Sequence, residues 1–134
     1  PYLHGKVVKD PKFWSDKPKD LNITTPVIRL GPHVAALGLA FDRAKALGEK
    51  YQDKLFIAEH GSWNRSEKIG YRISMVTVDK DKAKSYKTFA SGWLTPKREV
   101  LGRPVDVLST SQYGLLISDD FAGKIYRVFQ KEKK

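Results

Sequence analysis

Between positions 59 and 65 the chain gathers a carboxylate, an imidazole, an indole, an amide and a guanidinium: Glu59, His60, Trp63, Asn64 and Arg65. That set can accept and donate hydrogen bonds, hold an anion and stack on a flat ring. Gly61 and Gly70 frame it and permit sharp backbone bends. Polar groups of such variety, on a loop following a buried strand, are where binding chemistry commonly sits. The plainer reading is a solvated hairpin loop whose Trp63 packs on the rim of the core. Outside the loop, His33, Lys68, Arg103, Asp119 and Asp120 are the other residues able to join a site. No cysteine is present, so disulfides, thiolate metal sites and cysteine catalysis are excluded. We assign no catalytic residue and no metal ligand within this chain.

The elements that must position these groups are strands. Leu55–Ala58 is a short apolar run of the length of a buried strand, and Tyr71–Val78 is a second. Upstream, Val27–Leu30 reads as a short strand. In 31–41, Leu37, Leu39 and Phe41 alternate with small residues, which suits another. Asp42–Lys50 has room for a helical turn or two, limited by Gly48. After Val78 the polar run 79–85 reads as a turn, and Tyr86–Trp93 as a strand ended by Pro96. In the last third, Val105 and Val107 alternate. An apolar strand at Leu115–Ile117 and an acidic elbow at Asp119 and Asp120 follow, then a final strand, Ile125–Phe129. Short strands at regular spacing predict an all-β fold. Residues 1–26, broken by Pro1, Pro11, Pro18 and Pro26, read as a loop-rich lead-in.

The chain of 134 residues is 40% hydrophobic and 30% charged, the composition of a folded globular protein. No apolar run approaches the roughly 20 residues of a membrane span. Twenty-five Lys and Arg against 15 Asp and Glu give a formal charge of +10. The excess is scattered lysine, with Lys80, Lys82, Lys84 and Lys87 in one loop-like stretch. No nucleic-acid motif accompanies it, so it reads as solvated surface, and a nucleic-acid or lipid-surface module is the weakest alternative.

An internal repeat narrows the architecture. LFIAEH at 55–60 aligns with LLISDD at 115–120, GYRI at 70–73 with IYRV at 125–128, and GPH at 31–33 with LGR at 101–103. Each unit has the strand content of a propeller blade, with a period of about 60 residues, longer than the roughly 40–50 of common propeller repeats. Two units cannot close a ring, since propellers need at least about four blades. The expectation is two consecutive four-stranded antiparallel sheets packed face to face, belonging to a larger propeller.

WNRS after AEHGS, GRPVDV, and SDD-x-AG-x-IYR together resemble the C-terminal part of the soluble, pyrroloquinoline-quinone (PQQ)-dependent sugar dehydrogenases, of the glucose/sorbosone type that includes L-sorbosone and aldose sugar dehydrogenases. The opening PY-x-x-G is similar to the end of another motif of that family. The resemblance implies a six-bladed β-propeller, of which this chain covers about two to two and a half C-terminal blades. Residues 27–95 form one blade and 96–134 the last blade elements. It implies PQQ and calcium as cofactors and oxidation of an aldose or sorbosone-type aldehyde sugar by hydride transfer to PQQ. The general base of the family is a histidine in an earlier blade, so this chain by itself is expected to be inactive.

Carried onto this sequence, the resemblance makes Arg103, in GRPVDV, a cofactor-facing arginine. A guanidinium pairs bidentately with a carboxylate, and PQQ bears three. The competing role is a surface salt bridge. Arg65 stands where the family places a cationic contact, with Lys68 as a substitute. His60 and His33 are candidates for bonding a carboxylate or the quinone ring, or for ordinary structural histidines. Trp63 is a candidate lid for the flat cofactor, or packs between blades. Asp119 and Asp120 suit capping of backbone donors in the elbow better than metal binding. The implied partners are a sugar, an electron acceptor of unspecified kind and the remaining blades, on a missing N-terminal segment or another chain. The implied location is periplasmic or secreted. The alternative is a non-catalytic propeller binding module, or an inactive propeller fragment, because fold does not fix function.

Overall fold

The computed structural model describes residues 20, 22 and 24–131, so most of the expected lead-in over 1–26 and residues 132–134 lie outside the described residues. Among the described residues seven strands follow in chain order: β1 (Ala36–Phe41), β2 (Leu55–Glu59), β3 (Arg72–Asp79), β4 (Lys82–Ala90), β5 (Pro104–Thr110), β6 (Gly114–Asp119) and β7 (Lys124–Val128). They form two antiparallel sheets, β1-β2-β3-β4 and β5-β6-β7. The all-β expectation holds. The second sheet has three strands among the described residues, against the four expected. The one helical element among the described residues is a 3-10 turn at Glu49–Tyr51. No helix among the described residues is long and apolar enough to cross a membrane.

Pleating explains the packing. Alternate residues of a strand point to one face. Ala40, Phe56 and Met75 pair across β1, β2 and β3, as do Ala58 and Ile73. In the other sheet Val107, Ile117 and Tyr126 pair across β5, β6 and β7, with Leu115 opposite Val128. These two faces meet, and Phe56, Ala58, Tyr71, Ile73, Trp93, Val107, Leu115 and Ile117 form one buried cluster between them. Full burial of each Leu, Ile or Phe contributes about 1.5–3 kcal/mol. Phe89 of β4 adds an edge-on contact to Phe56, with centroids 4.7 Å apart. The sheets approach closely at Gly38, where any Cβ would run into Asp106 of β5.

Several local expectations change. Val27–Leu30 is not a strand. β4 starts at Lys82, inside the stretch read as a turn, because the 79–82 connection is tight and the lysines sit on an edge strand. Lysines there discourage pairing with another chain. Leu37, Leu39 and Phe41 lie on a strand as expected, yet they are exposed; the half-buried residues of β1 are the small Gly38 and Ala40.

Register also corrects the repeat. Glu59 pairs with Arg72 and Asp119 with Lys124; Ala58 pairs with Ile73 and Ser118 with Ile125. Arg72 therefore corresponds to Lys124, not Arg127, and Tyr71 has no counterpart in Tyr126. Ala36 opposite Glu59 matches Pro104 opposite Asp119, so Arg103 corresponds to Ala35, not His33. The matching strings were displaced because β2 and β3 are joined by a long loop, 60–71, while β6 and β7 are joined by a short turn.

Candidate functional site

The loop leaving β2 is built by backbone pairing. His60 N donates to Ala35 O and Gly61 N to Val34 O, each at 2.9 Å. Ser62 N donates to Ile69 O at 2.9 Å and Ser62 Oγ accepts from Ile69 N at 3.1 Å, which closes the loop on itself. Tyr71 then turns the chain into β3. Its φ of 56° is uncommon for a bulky side chain. The ring is 1% exposed, and its hydroxyl donates to Ser62 O. Gly61 lies against that ring. A Cβ there would come within 2.6 Å of ring carbons, so only glycine fits.

Arg103 precedes β5 and reaches back across to this loop. Nη1 donates to Gly61 O at 3.2 Å and to His60 O at 3.4 Å, and Nη2 donates to the Tyr71 hydroxyl at 3.2 Å. Its guanidinium carbon stands 4.9 Å from the Tyr71 centroid and 6.0 Å from that of Phe121, within the range of cation–π attraction. Its backbone N–H is held by Asp119 Oδ1 at 2.9 Å. Asp119 also accepts from Ala122 N and the Tyr126 hydroxyl, so it is the elbow cap that the sequence suggested. Beside it, Asp120 Oδ1 and His60 Nε2 are 2.9 Å apart. That hydrogen bond to His60 holds the Asp120 carboxyl below its ordinary range.

The structure thus brings His60, Arg103, Asp120 and Phe121 to one end of the two sheets. The other sequence-picked residues stand apart from that hydrogen-bonded group. Arg65 Nε donates to Glu67 O at 2.7 Å, within its own loop. Lys68 Nζ donates to Arg98 O at 2.7 Å, and Arg98 in turn bonds Ser66 O and Glu67, tying the loop to the 95–99 turn. Trp63 is 85% exposed and is not part of the buried cluster. His33 is exposed with φ 62°.

Glu59 turns inward. Its fully buried carboxylate accepts from Arg72 Nε at 2.8 Å and from the Tyr86 hydroxyl, while Arg72 also donates to Tyr86 and Thr88. Burial would lower the Arg72 pKa, but the hydrogen bond and charge of Glu59 outweigh it and raise it. Burial, then Glu59, raises Tyr86.

Sequence reasoning missed Tyr71 and Phe121. The signal for Tyr71 was a tyrosine directly after Gly70, a pair that can turn a chain sharply. Phe121 carried no signal beyond following the acidic elbow. At the opposite end of the sheets, a cavity of about 650 Å³ is lined by Leu47, Tyr51, Phe89 and Val128, and it touches none of the candidate residues.

The donor set fits a flat anion in part. Two guanidinium nitrogens of Arg103 are given to the protein, while its Nε is unengaged among the described residues, and exposed Phe121 offers a flat apolar surface. Calcium is not matched here: no cluster of three or more His, Cys, Asp or Glu able to hold a metal occurs among the described residues.

The model of the TrAA12-like family matches residues 7–131. An uncharacterized protein of Borreliella burgdorferi is 41% identical over 134 residues, covering 98% of this chain and 35% of that protein. The holo PQQ domain of pyranose dehydrogenase from Coprinopsis cinerea superposes with a TM-score of 0.57 at 21% identity, over 74% of this chain and 27% of that one. The calcium structure of a Trichoderma reesei carbohydrate-active enzyme of family AA12 gives a TM-score of 0.53 at 22% identity, over 69% and 24%. The chain spans about a third of the length of the curated relative, and its two sheets share the fold of these β-propeller domains.

Proposed function

This chain belongs to the TrAA12-like family, and from that premise we propose that it is part of a PQQ-dependent sugar oxidoreductase of the glucose/sorbosone type. The observation that carries the reading is the Arg103 guanidinium, stacked on Tyr71 and standing beside His60 where the two sheets meet. It supplies a fixed positive charge with an unengaged Nε among the described residues, which suits one carboxylate of the quinone. His60 and Phe121 would border the group, with His33, Trp63 and Arg65 on the same or neighbouring loops. When bound, PQQ supplies the acceptor for a hydride from the sugar. This chain's own part is to hold and orient that acceptor. The base is proposed to lie in another blade of a six-bladed propeller, along with the calcium ligands. Residues 27–95 and 96–134 are then its last two blades, and the protein is periplasmic or secreted.

A non-catalytic propeller is the second reading, favoured by the commitment of Nη1 and Nη2 of Arg103 to loop carbonyls and to Tyr71. The test is to load the full-length protein with PQQ and calcium and to follow aldose- and sorbosone-dependent reduction of a dye. Turnover by the full-length protein and none by the isolated 134-residue chain is the expected result. Quinone binding without turnover on any aldehyde sugar would favour the binding module.

A further inference from the structure

Tyr71 is held in place from every side. Its backbone is left-handed at φ 56°, its ring is buried against Gly61, and its hydroxyl donates to Ser62 O and accepts from Arg103 Nη2. A bulky residue persists in that backbone region only where its surroundings over-determine it, and such strain clusters at ligand clamps. His33, Ala35, Gly61 and Gly70, in the segments around it, also have positive φ. All of this fixes one ring face, and the Arg103 guanidinium lies 4.9 Å from its centroid.

An arginine side chain has considerable rotamer entropy to lose on being ordered. Pre-ordering it before a ligand arrives moves that cost out of binding. The loop carbonyls of His60 and Gly61 take Nη1, and the Tyr71 hydroxyl takes Nη2. Two nitrogens anchored on one side define the plane of the guanidinium and the direction in which Nε points.

We propose that Tyr71 is a positioning residue: it orients the Arg103 guanidinium, by ring stacking and by its hydroxyl, for a carboxylate-bearing planar ligand. The inference rests on the cofactor reading above and assigns to Tyr71 no contact with the ligand. The Tyr71→Phe change keeps the ring and removes the hydroxyl, which contributes a hydrogen bond of net value near 1 kcal/mol, about a fivefold effect.

The experiment is a double-mutant cycle in the full-length protein, with PQQ titrated into wild type, Tyr71→Phe, Arg103→Ala and the double variant, and a melting curve for each. Expected is an affinity about fivefold weaker for Tyr71→Phe, a larger loss for Arg103→Ala, and a double variant no weaker than Arg103→Ala alone. Losses that multiply in the double variant, or an unchanged affinity in Tyr71→Phe beside a weakened Arg103→Ala, overturn the positioning role and leave the cofactor reading standing. Unchanged affinity in Arg103→Ala overturns the cofactor reading and this inference with it. If Tyr71→Phe does not fold, the ring-current shift of the Arg103 guanidinium protons in the wild type reads the same contact. An upfield shift that persists on adding PQQ is expected, and random-coil shifts overturn the stack.

Discussion

Arg72 Nε donates to the buried carboxylate of Glu59 at 2.8 Å, across the β2–β3 pair. Glu59 is fully buried and Arg72 about a quarter exposed. Removing one partner of a buried pair leaves the other uncompensated, at a cost of about 3–5 kcal/mol when both are buried. The partial exposure of Arg72 lowers that figure. Arg72→Met is expected to cost about 2–3 kcal/mol in urea unfolding. Glu59→Gln should cost less, since its single amide oxygen still accepts from one of the two donors, Arg72 Nε or the Tyr86 hydroxyl, which bond separate carboxylate oxygens in the wild type. Equal losses in the two variants would show that the charge pair, and not the hydrogen bonding that glutamine can keep, carries the contribution.

The His60–Asp120 contact joins the two sheets across the site and should respond to acid. The Asp120 carboxyl is held below its ordinary value of 3.8 by the hydrogen bond to His60. A depressed folded-state pKa contributes stability that is present above the unfolded value and lost as pH falls through the folded one. The contribution is therefore intact at neutral pH and fades below about pH 4. Melting temperatures of wild type and Asp120→Asn should differ at about pH 6, and the gap should narrow as the pH is lowered below about 4. A gap that stays constant over that range would mean the bond does not depend on the ionised carboxylate.

The all-β class and the order of the main strands were legible because β2 and β6 are short, apolar and bounded by turns, while the count was not: Val27–Leu30 is not a strand and the second sheet has three strands among the described residues. What failed was anything decided by the partner strand. The string match of Tyr71-Arg72 to Tyr126-Arg127 gave way to a register that sets Arg72 against Glu59 and Lys124 against Asp119. A one-dimensional repeat carries no information on the length of the intervening loop. The alternation of Leu37, Leu39 and Phe41 correctly marked a strand but not which face would be covered. In the site, repeat position suggests one face for Glu59, His60, Arg65, Arg103 and Asp120 with His33 beside them; Glu59 instead turns inward to Arg72 and Arg65 bonds within its own loop, which leaves His60, Arg103 and Asp120 as the cluster. Its hub, Tyr71, was hidden because its role depends on a left-handed backbone and on burial, neither of which a residue type reveals.

Leu39, Leu108 and Ile125 are 59%, 58% and 74% exposed, on the sheet faces turned away from the shared core. Further blades would cover such faces in a closed propeller. The isolated 134-residue chain should therefore self-associate, since each covered side chain contributes about 1.5–3 kcal/mol. Sedimentation at rising concentration should show oligomers, and Leu108→Lys with Ile125→Lys should shift the chain at least tenfold in concentration toward monomer. If the double variant sediments like the wild type, association runs through another surface.

Arg103 is the most informative single position, because two separable roles meet there. As a strap it donates to His60 O, Gly61 O and the Tyr71 hydroxyl, so Arg103→Ala should lower stability by about 1–2 kcal/mol at net hydrogen-bond values. As a ligand contact it should add a loss of PQQ affinity of about 1.5–3 kcal/mol, the scale of a hydrogen bond to a charged group. Arg103→Lys separates the two. Lysine keeps the charge but lacks the planar fork, so it cannot hold two carbonyls and a hydroxyl while presenting a further N–H. Affinity in Arg103→Lys should fall between wild type and Arg103→Ala, while its unfolding midpoint should lie near that of Arg103→Ala. PQQ titration and urea unfolding of the three full-length proteins measure both quantities. Lowered stability with unchanged affinity in both variants would leave Arg103 as a strap between the sheets and remove it from the cofactor site.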